Sequence, residues 1–515
     1  MMDTILRTIF IQHAGLPFSM ERLEGNMEMG ICGGELRAAI PFLLQQGKLE
    51  SLKNRSGEVS FRIKEEILPV IANQLVEGIP SYSQFDVELF RESGTTMIYT
   101  VLRWLQWIYY NGLPVTAKGT LHHRTVVALQ KITPFEDEKL AGLKLNPATQ
   151  QRMPLGVSFM LDILVQMSVI HLGADGWKIH DNSLQTWLDF DMQTANEKLL
   201  HILCKAYVPA QKYQQQAISL ITCPAVRKGN YYSAEGILRQ LKLTQQQLQP
   251  EQETWLSSWV YVLCRCGWLE QGRVGQDSAQ ILFRWCASIG QHPLPISEEI
   301  IVQPDFEILV SPHASLQTRF HLELMTEHLH TDVMSRYRLT KDKYRLALQT
   351  GINCKLDQND LPTNVRLAIT DWTKQLETFY EGEGAALTIK LSRNHLQFPN
   401  RFVDVESVLP TYQLNDFKPE RSQIMPGIHD VPTKWMQEVA SYHQSTLRHL
   451  IERALIWKIR IELQLVDELI QIIPTAIINE EEEWCIIGVG QSGLKSIQFK
   501  QCQGIRLVMP DLIPN

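Results

Sequence analysis

The sequence predicts a multi-domain α+β protein, mostly helical, made of helix-then-hairpin units, an α+β module in its C-terminal half and a small terminal β-barrel. Three observations carry that prediction. A chain of 515 residues is too long for one core and calls for roughly three to five modules. Helical spacing followed by short hairpin signals recurs up to about residue 290. Near residue 293 the pattern changes to β-branched strand runs alternating with helices.

Composition bounds the class. Hydrophobic residues at 44% and charged residues at 20% belong to an ordinary globular chain rather than a disordered one. No apolar run approaches the roughly 18 residues a membrane span needs. Asp3, Arg7 and His13 interrupt the first apolar stretch, so neither an anchor nor a signal peptide is expected. Nine cysteines without a regular framework read as reduced thiols of a cytoplasmic protein. A formal net charge of -7 argues against wholesale coating of nucleic acid but permits a local basic patch.

Residues 1–64 open with an amphipathic run and then a helix whose Leu36, Ala39, Ile40, Leu43 and Leu44 fall at helical spacing, closed by Gly47. Two short strands follow around an Asn54–Gly57 turn. Three helices and a hairpin make the winged-helix pattern, with Lys48, Lys53, Arg55, Arg62 and Lys64 on or beside the wing. Residues 65–290 repeat this architecture loosely in stretches beginning near Val101, Gly156 and Thr254, with "QKYQQQ" and "TQQQLQPEQET" as polar connectors. In the first of these, Arg124 follows His122 and His123 at a helix start, where it can meet a nucleic-acid backbone. Residues 293–400 read as the α+β module, 401–440 as a Pro-rich linker, and 441–515 as a helix leading into short strands.

The densest signal is "RYRLTKDKYRLALQTG", Arg336–Gly351, with five cations against one carboxylate. Thr340 is suited to an N-cap, Asp342 to the first turn, and Gly351 to the C-terminal end. Leu339 can staple onto Tyr344. Lys341 and Arg345 share a face, with Lys343 near them. Taken alone this is a solvated basic face; the sharper reading has Arg336, Arg338, Lys341, Lys343 and Arg345 touching phosphates.

Family resemblance favours the sharper reading. Val302–Asp305 (an aliphatic strand ending in Gln-Pro-Asp), Tyr337–Gly351 and Leu361–Trp372 stand in the order found in the accessory N-terminal domain of XPB-type helicases. The segment resembles that domain over about 100 residues. The resemblance implies DNA engagement and a helicase or nuclease partner. The tract "TAKGTLHHR" (Thr116–Arg124) is similar to winged-helix regions preceding that domain in bacterial proteins. Residues 441–515 resemble the WYL domain, an SH3-like barrel that senses nucleic acid or nucleotides, although Cys485 replaces its motif tyrosine and Gln501 its arginine.

The motor is missing: no G-x-x-x-x-G-K-[ST] loop occurs, so the chain is not itself a helicase. Gly488–Gly493 satisfies G-x-G-x-x-G but precedes an alternating, strand-like stretch, so it reads as a hairpin turn. Cys264 and Cys266 have no second pair for zinc, and His321, His328 and His330 lack a metalloenzyme pattern. The expectation is a non-catalytic bacterial protein without cofactor or metal that binds DNA or docks onto a helicase. The alternatives are an interaction scaffold without DNA binding and a WYL-type ligand-sensing transcription regulator.

Overall fold

In the computed structural model, helix α1 (Met2–His13) buries Ile5, Leu6, Ile9 and Phe10 on one face, as their spacing dictates. It packs on α2 (Gly33–Gln45). The described residues are 2–510 except 26–29, 84–85, 93–95, 117–118, 144, 146–152, 174–175, 227–228, 234–235, 238–249, 275–280, 287–299, 333, 351, 353–360, 378–411, 467, 481–482 and 491–492. Over these residues the protein is mixed α+β, 48% helical and 24% strand, in several small sheets of which none is closed.

Strands β1 (Leu49–Lys53) and β2 (Val59–Ile63) form the expected antiparallel hairpin. Its turn is held by Asn54, whose Oδ1 accepts the Glu58 N–H at 2.9 Å, while Gly57 takes φ +89°. Among the described residues between α1 and α2, a single 3-10 turn, Met20–Arg22, stands in place of a full third helix. Helix α3 (Leu68–Val76) and strands β3 (Ser81–Tyr82) and β4 (Glu88–Arg91) lead into the central body.

The spine of that body is α4 (Met97–Asn111), followed by β5 (Leu113–Pro114), α5 (His123–Lys131), α6 (Asp137–Leu140), α7 (Leu155–Gln166), β6 (Ile170–Gly173) and β7 (Gly176–Ile179). The three strands form a sheet in the order β5-β7-β6. Helix α7, "LGVSFMLDILVQ", has no polar face to turn outward, and every residue from Gly156 to Leu164 is buried. Helices α8 (Asp181–Leu188), α9 (Met192–Tyr207) and α10 (Lys212–Ile221) complete the wall. The "QKYQQQ" stretch, expected as a connector, lies in α10, and Gln214, Gln215 and Gln216 are buried. Gln216 Nε2 donates to the Phe10 and Ile11 carbonyls near the end of α1, and Gln215 Nε2 to the Pro209 carbonyl at 3.1 Å. Strand β8 (Tyr231–Ser233), helix α11 (Pro250–Arg265) and strands β9 (Leu269–Arg273) and β10 (Ile281–Trp285) follow, giving the sheet β3-β8-β10-β9-β4. Cys264 and Cys266 lie in this core, where burial pushes the Cys264 thiol up to about 12, so both act as small apolar side chains.

The next module is the sheet β11 (Ile300–Val302), β12 (Glu307–Val310), β14 (Ser335–Arg338), β13 (Glu327–Thr331), in that spatial order, with α12 (Leu316–Met325) between β12 and β13. His328 and His330 therefore sit on a strand and only His321 on a helix. Helices α13 (Lys341–Gln349) and α14 (Thr363–Glu377) close over the sheet. The three motifs that suggested a helicase accessory domain meet in one core: Trp372 stacks on Phe306 and touches Tyr344, while Asn364 Nδ2 donates to the Pro304 carbonyl at 2.6 Å. Helix α12 serves two cores. Leu316, Phe320 and Leu324, at i, i+4, i+8, face the body, and Leu322 and Met325 face the sheet. The strand pair read near residues 385–398 lies outside the described residues.

Part of the segment read as a linker, 401–440, is structural. Strand β15 (Gln413–Asn415) pairs antiparallel with β1, placing Asn415 opposite Ser51, and Ile424, Met425 and Ile428 are buried. Helix α15 (Gln444–Trp457) lies on the sheet β19-β18-β17-β16-β20, formed by β16 (Arg460–Gln464), β17 (Leu469–Glu480), β18 (Glu483–Gly490), β19 (Gly493–Gln498) and β20 (Gly504–Val508). A barrel needs its outermost strands to pair; β19 and β20 are separate edges, so this sheet is open. Gly488–Gly493 spans the β18–β19 hairpin, as its strand-like flanks predict.

The first and last units are joined directly. Gly34 N–H donates to the Lys458 carbonyl at 2.9 Å, Arg37 Nη2 to the Ile456 carbonyl at 3.2 Å, and Arg460 to the Gly30 carbonyl. A Cβ on Gly34 would stand 2.9 Å from the Trp457 oxygen and closer still to Ile459 Cγ2, so only glycine allows this approach.

Candidate functional site

The expected phosphate contacts fall on separate elements. Arg336 and Arg338 alternate on β14 and are exposed, with Tyr337 buried between them. Both approach Glu307 on the neighbouring strand: Arg338 Nη2 at 3.0 Å and Arg336 Nη1 at 3.9 Å from its carboxylate. The register also sets Glu327 opposite Arg338 from the other side. These two arginines are therefore partly neutralised.

Helix α13 divides its cations. Tyr344, Ala347 and Leu348 form its packed stripe. At 100° per residue, Lys341 and Arg345 lie on one flank of that stripe and Lys343 on the other, so the three do not share a face. Among the described residues none of the three has an ion-pair partner. Thr340 precedes the helix but makes no side-chain cap bond, Thr350 is the residue that ends it, and Gly351 lies outside the described residues.

On the N-terminal hairpin, Lys53 and Arg55 are exposed at the turn. Arg62 is not available as a contact: it is buried, and its Nε donates to Glu50 directly across the hairpin. The same register that faces Val59, Phe61 and Ile63 to one side turns Arg62 to the other, under the unit. Arg124 is exposed in the first turn of α5.

Sequence reading named Lys343 but not the cations that gather around it. Lys343 enters a cleft of about 710 Å³ whose walls also include Arg103, Lys131 and Arg265, with Thr100, Gln106 and Trp107. On α4, Thr100, Arg103 and Trp107 follow each other at i, i+3 and i+7, so that one helix face makes one wall. Lys131 comes from the last turn of α5, Arg265 from the end of α11, and Glu323, Thr326, Glu327 and His328 from α12 and β13. Among the described residues, Lys131 and Arg265 form no ion pair, while Lys343 acts at longer range on the Glu323 carboxylate. Lys131 is also seven residues from Arg124 on α5, about 10 Å along the same face. Arg124 thus continues the cleft's charge outward.

A polar seam floors the cleft. Arg103 Nη2 lies 3.0 Å from His328 Nε2, and its Nε 3.9 Å from Glu323 Oε1. The Tyr337 hydroxyl donates to Glu323 Oε1 at 3.2 Å. Behind it, fully buried Arg319 donates to Ser335 Oγ at 2.8 Å and to the Ser311 carbonyl at 2.5 Å, and its guanidinium sits 4.5 Å from the Tyr99 ring. Burial pushes the Glu323 carboxyl up to about 7, with Arg103 pulling the other way. Burial, then Arg103, hold the His328 imidazole down at about 4, so it is neutral at pH 7. Of the two carboxylates that line the cleft, Glu323 is thus held back from ionising by its burial, and Glu327 is exposed. Such a cleft can hold an anion of moderate size without closing.

Arg103 carried one sequence signal, a lone charge one turn from a tryptophan in an aromatic helix. Lys343 was expected as a phosphate contact within the basic segment, whereas Lys131 and Arg265 carried no signal, because their proximity to it is tertiary. Compared with known proteins, the chain matches no family model and no curated protein.

Proposed function

We propose that this chain is a non-catalytic nucleic-acid-docking protein that contacts the phosphate backbone through the Arg103–Lys131–Arg265–Lys343 cleft. Lys341 and Arg345 on the outer flank of α13, and Arg124 on α5, extend the contact. One observation carries the reading: cations from four helices converge on one open cleft, and two of them, Lys131 and Arg265, form no ion pair among the described residues. The resemblance of residues 300–372 to a helicase accessory domain supports the same conclusion and suggests a helicase or nuclease as the protein that this one accompanies. The succession α4–β5–α5–α7–β6–β7 supports a winged-helix reading of residues 97–179. In such a unit α7 would be the groove-reading helix. Its burial removes it from that task and leaves backbone contact as the mode of binding.

Fluorescence anisotropy against DNA over a salt series tests this. Contact with about four phosphates should give a log–log salt slope of about -3 to -4. Lys131→Glu with Lys343→Glu should weaken binding at every salt concentration. Failure to bind at low salt would sink the proposal. A further prediction separates the two basic elements. Lys341→Gln with Arg345→Gln should flatten the slope by about 2. Arg336→Gln with Arg338→Gln should change it less, because Glu307 already holds those arginines.

The burial of α7 also favours a second reading, an interaction scaffold whose helical units are packing blocks. Recovery of a protein partner from nuclease-treated extract, by a chain that shows no DNA binding, would select it.

A further inference from the structure

The cleft's shape and lining go further than its charge. At about 710 Å³ it has the size of a small-ligand pocket. A duplex can bring only its backbone to such a rim, whereas one unstacked nucleotide can enter. Trp107 lines the wall one helical turn, about 6 Å, beyond Arg103 on the same face of α4. An indole beside a guanidinium at that spacing suits a base beside its own phosphate. Base–aromatic stacking of this kind contributes about 1–3 kcal/mol per base and accepts any base. Gln106, Thr100, Thr133 and Thr326 add uncharged donors and acceptors around the same space.

The geometry points to a single-nucleotide site: the cleft takes one phosphate-bearing nucleotide with its base unstacked against Trp107 and its phosphate among Arg103, Lys131, Arg265 and Lys343. The inference rests on the backbone-docking reading and adds a ligand class, single-stranded nucleic acid in preference to duplex. The same chemistry is available from a free mononucleotide, and the two sources are separable.

The test uses the full chain and a labelled thymidine 20-mer. It compares that strand with the matching duplex and with an abasic 20-mer of equal charge. The single strand should bind about 5- to 150-fold more tightly than the abasic strand, the factor that one stacked base supplies. It should also bind more tightly than the duplex. Trp107→Ala should remove the preference over the abasic strand, and Trp107→Phe, which keeps an aromatic face, should retain it. Thymidine monophosphate that displaces the 20-mer at submillimolar concentration assigns the site to free nucleotides; failure to displace assigns it to strands, and both results support the site. Equal affinity for the thymidine and abasic strands overturns the nucleotide site while leaving backbone docking intact. Binding to all three that is unaffected by Lys131→Glu with Lys343→Glu overturns the docking reading itself. The abasic comparison needs no substitution, so a poorly folding tryptophan variant does not remove the test.

Discussion

Gly34→Val destabilises the protein by about 3 kcal/mol, measured by chemical denaturation, an effect at the upper end of what overpacking produces. Removing a glycine from a helix interior ordinarily helps, by up to about 1 kcal/mol for alanine. Here the first added carbon meets the Trp457 carbonyl and Ile459, and β-branching adds a second atom that cannot rotate away. The obstacle is the Ile459 side chain backed by the Trp457 and Lys458 carbonyls of another unit, so relief requires α2 to separate from the end of α15. The Gly34–Lys458 and Arg37–Ile456 bonds would lengthen with it. An unchanged denaturation midpoint would show that the first and last units do not meet in this way.

Glu323→Gln should change the pH dependence of stability more than stability at any one pH. The Glu323 carboxyl is raised from 4.5 to about 7 by burial. Between those values the folded protein holds a proton that the unfolded chain has released, so this group's contribution is complete below pH 4.5 and is lost as pH rises through 7. The shift corresponds to about 3 kcal/mol at most. The stability of the native protein relative to the glutamine variant should therefore rise by up to that amount as pH falls from 8 to 4.5. His328 and His13, each held down at about 4, act oppositely: their contribution is present above pH 6.5 and is lost as pH falls toward 4. Both chains contain these histidines, so the difference between the chains isolates Glu323. Glutamine keeps an oxygen to accept the Tyr337 hydroxyl, which limits other damage. Parallel stability curves for the two proteins would mean that the Glu323 carboxyl titrates alike in the folded and unfolded chains, with no upward shift.

What was legible in the sequence was local. The Asn54–Gly57 turn, the β18–β19 hairpin around Gly488–Gly493, and the helix over Lys341–Gln349 all follow from residues within a few positions of one another. The mixed α+β class followed from the change of periodicity near residue 293. What was not legible depended on distant partners. Gln216 looks like part of a polar connector until the end of α1 supplies carbonyls to its buried amide. Arg62 looks like a wing contact until Glu50 across the hairpin claims it. Residues 413–415 look like a linker because their strand pairing is with β1. The cleft is the extreme case: Arg103 and Lys131 stand on the neighbouring helices α4 and α5, but Arg265 and Lys343 come from α11 and α13, far along the chain.

That pairing of β15 with β1 also sets a schedule for the ribosome. The Ser51 hydroxyl and the Asn415 carbonyl that accepts from it are 364 residues apart in the chain. At about 5–20 residues per second, the N-terminal hairpin emerges on the order of 20–70 s before the strand that completes it. During that interval one edge of β1 offers unpaired amides to whatever strand is nearest. The exposed Lys53, Arg55 and Glu58 near the hairpin's tip then act as gatekeepers, discouraging a stranger's strand until the protein's own arrives.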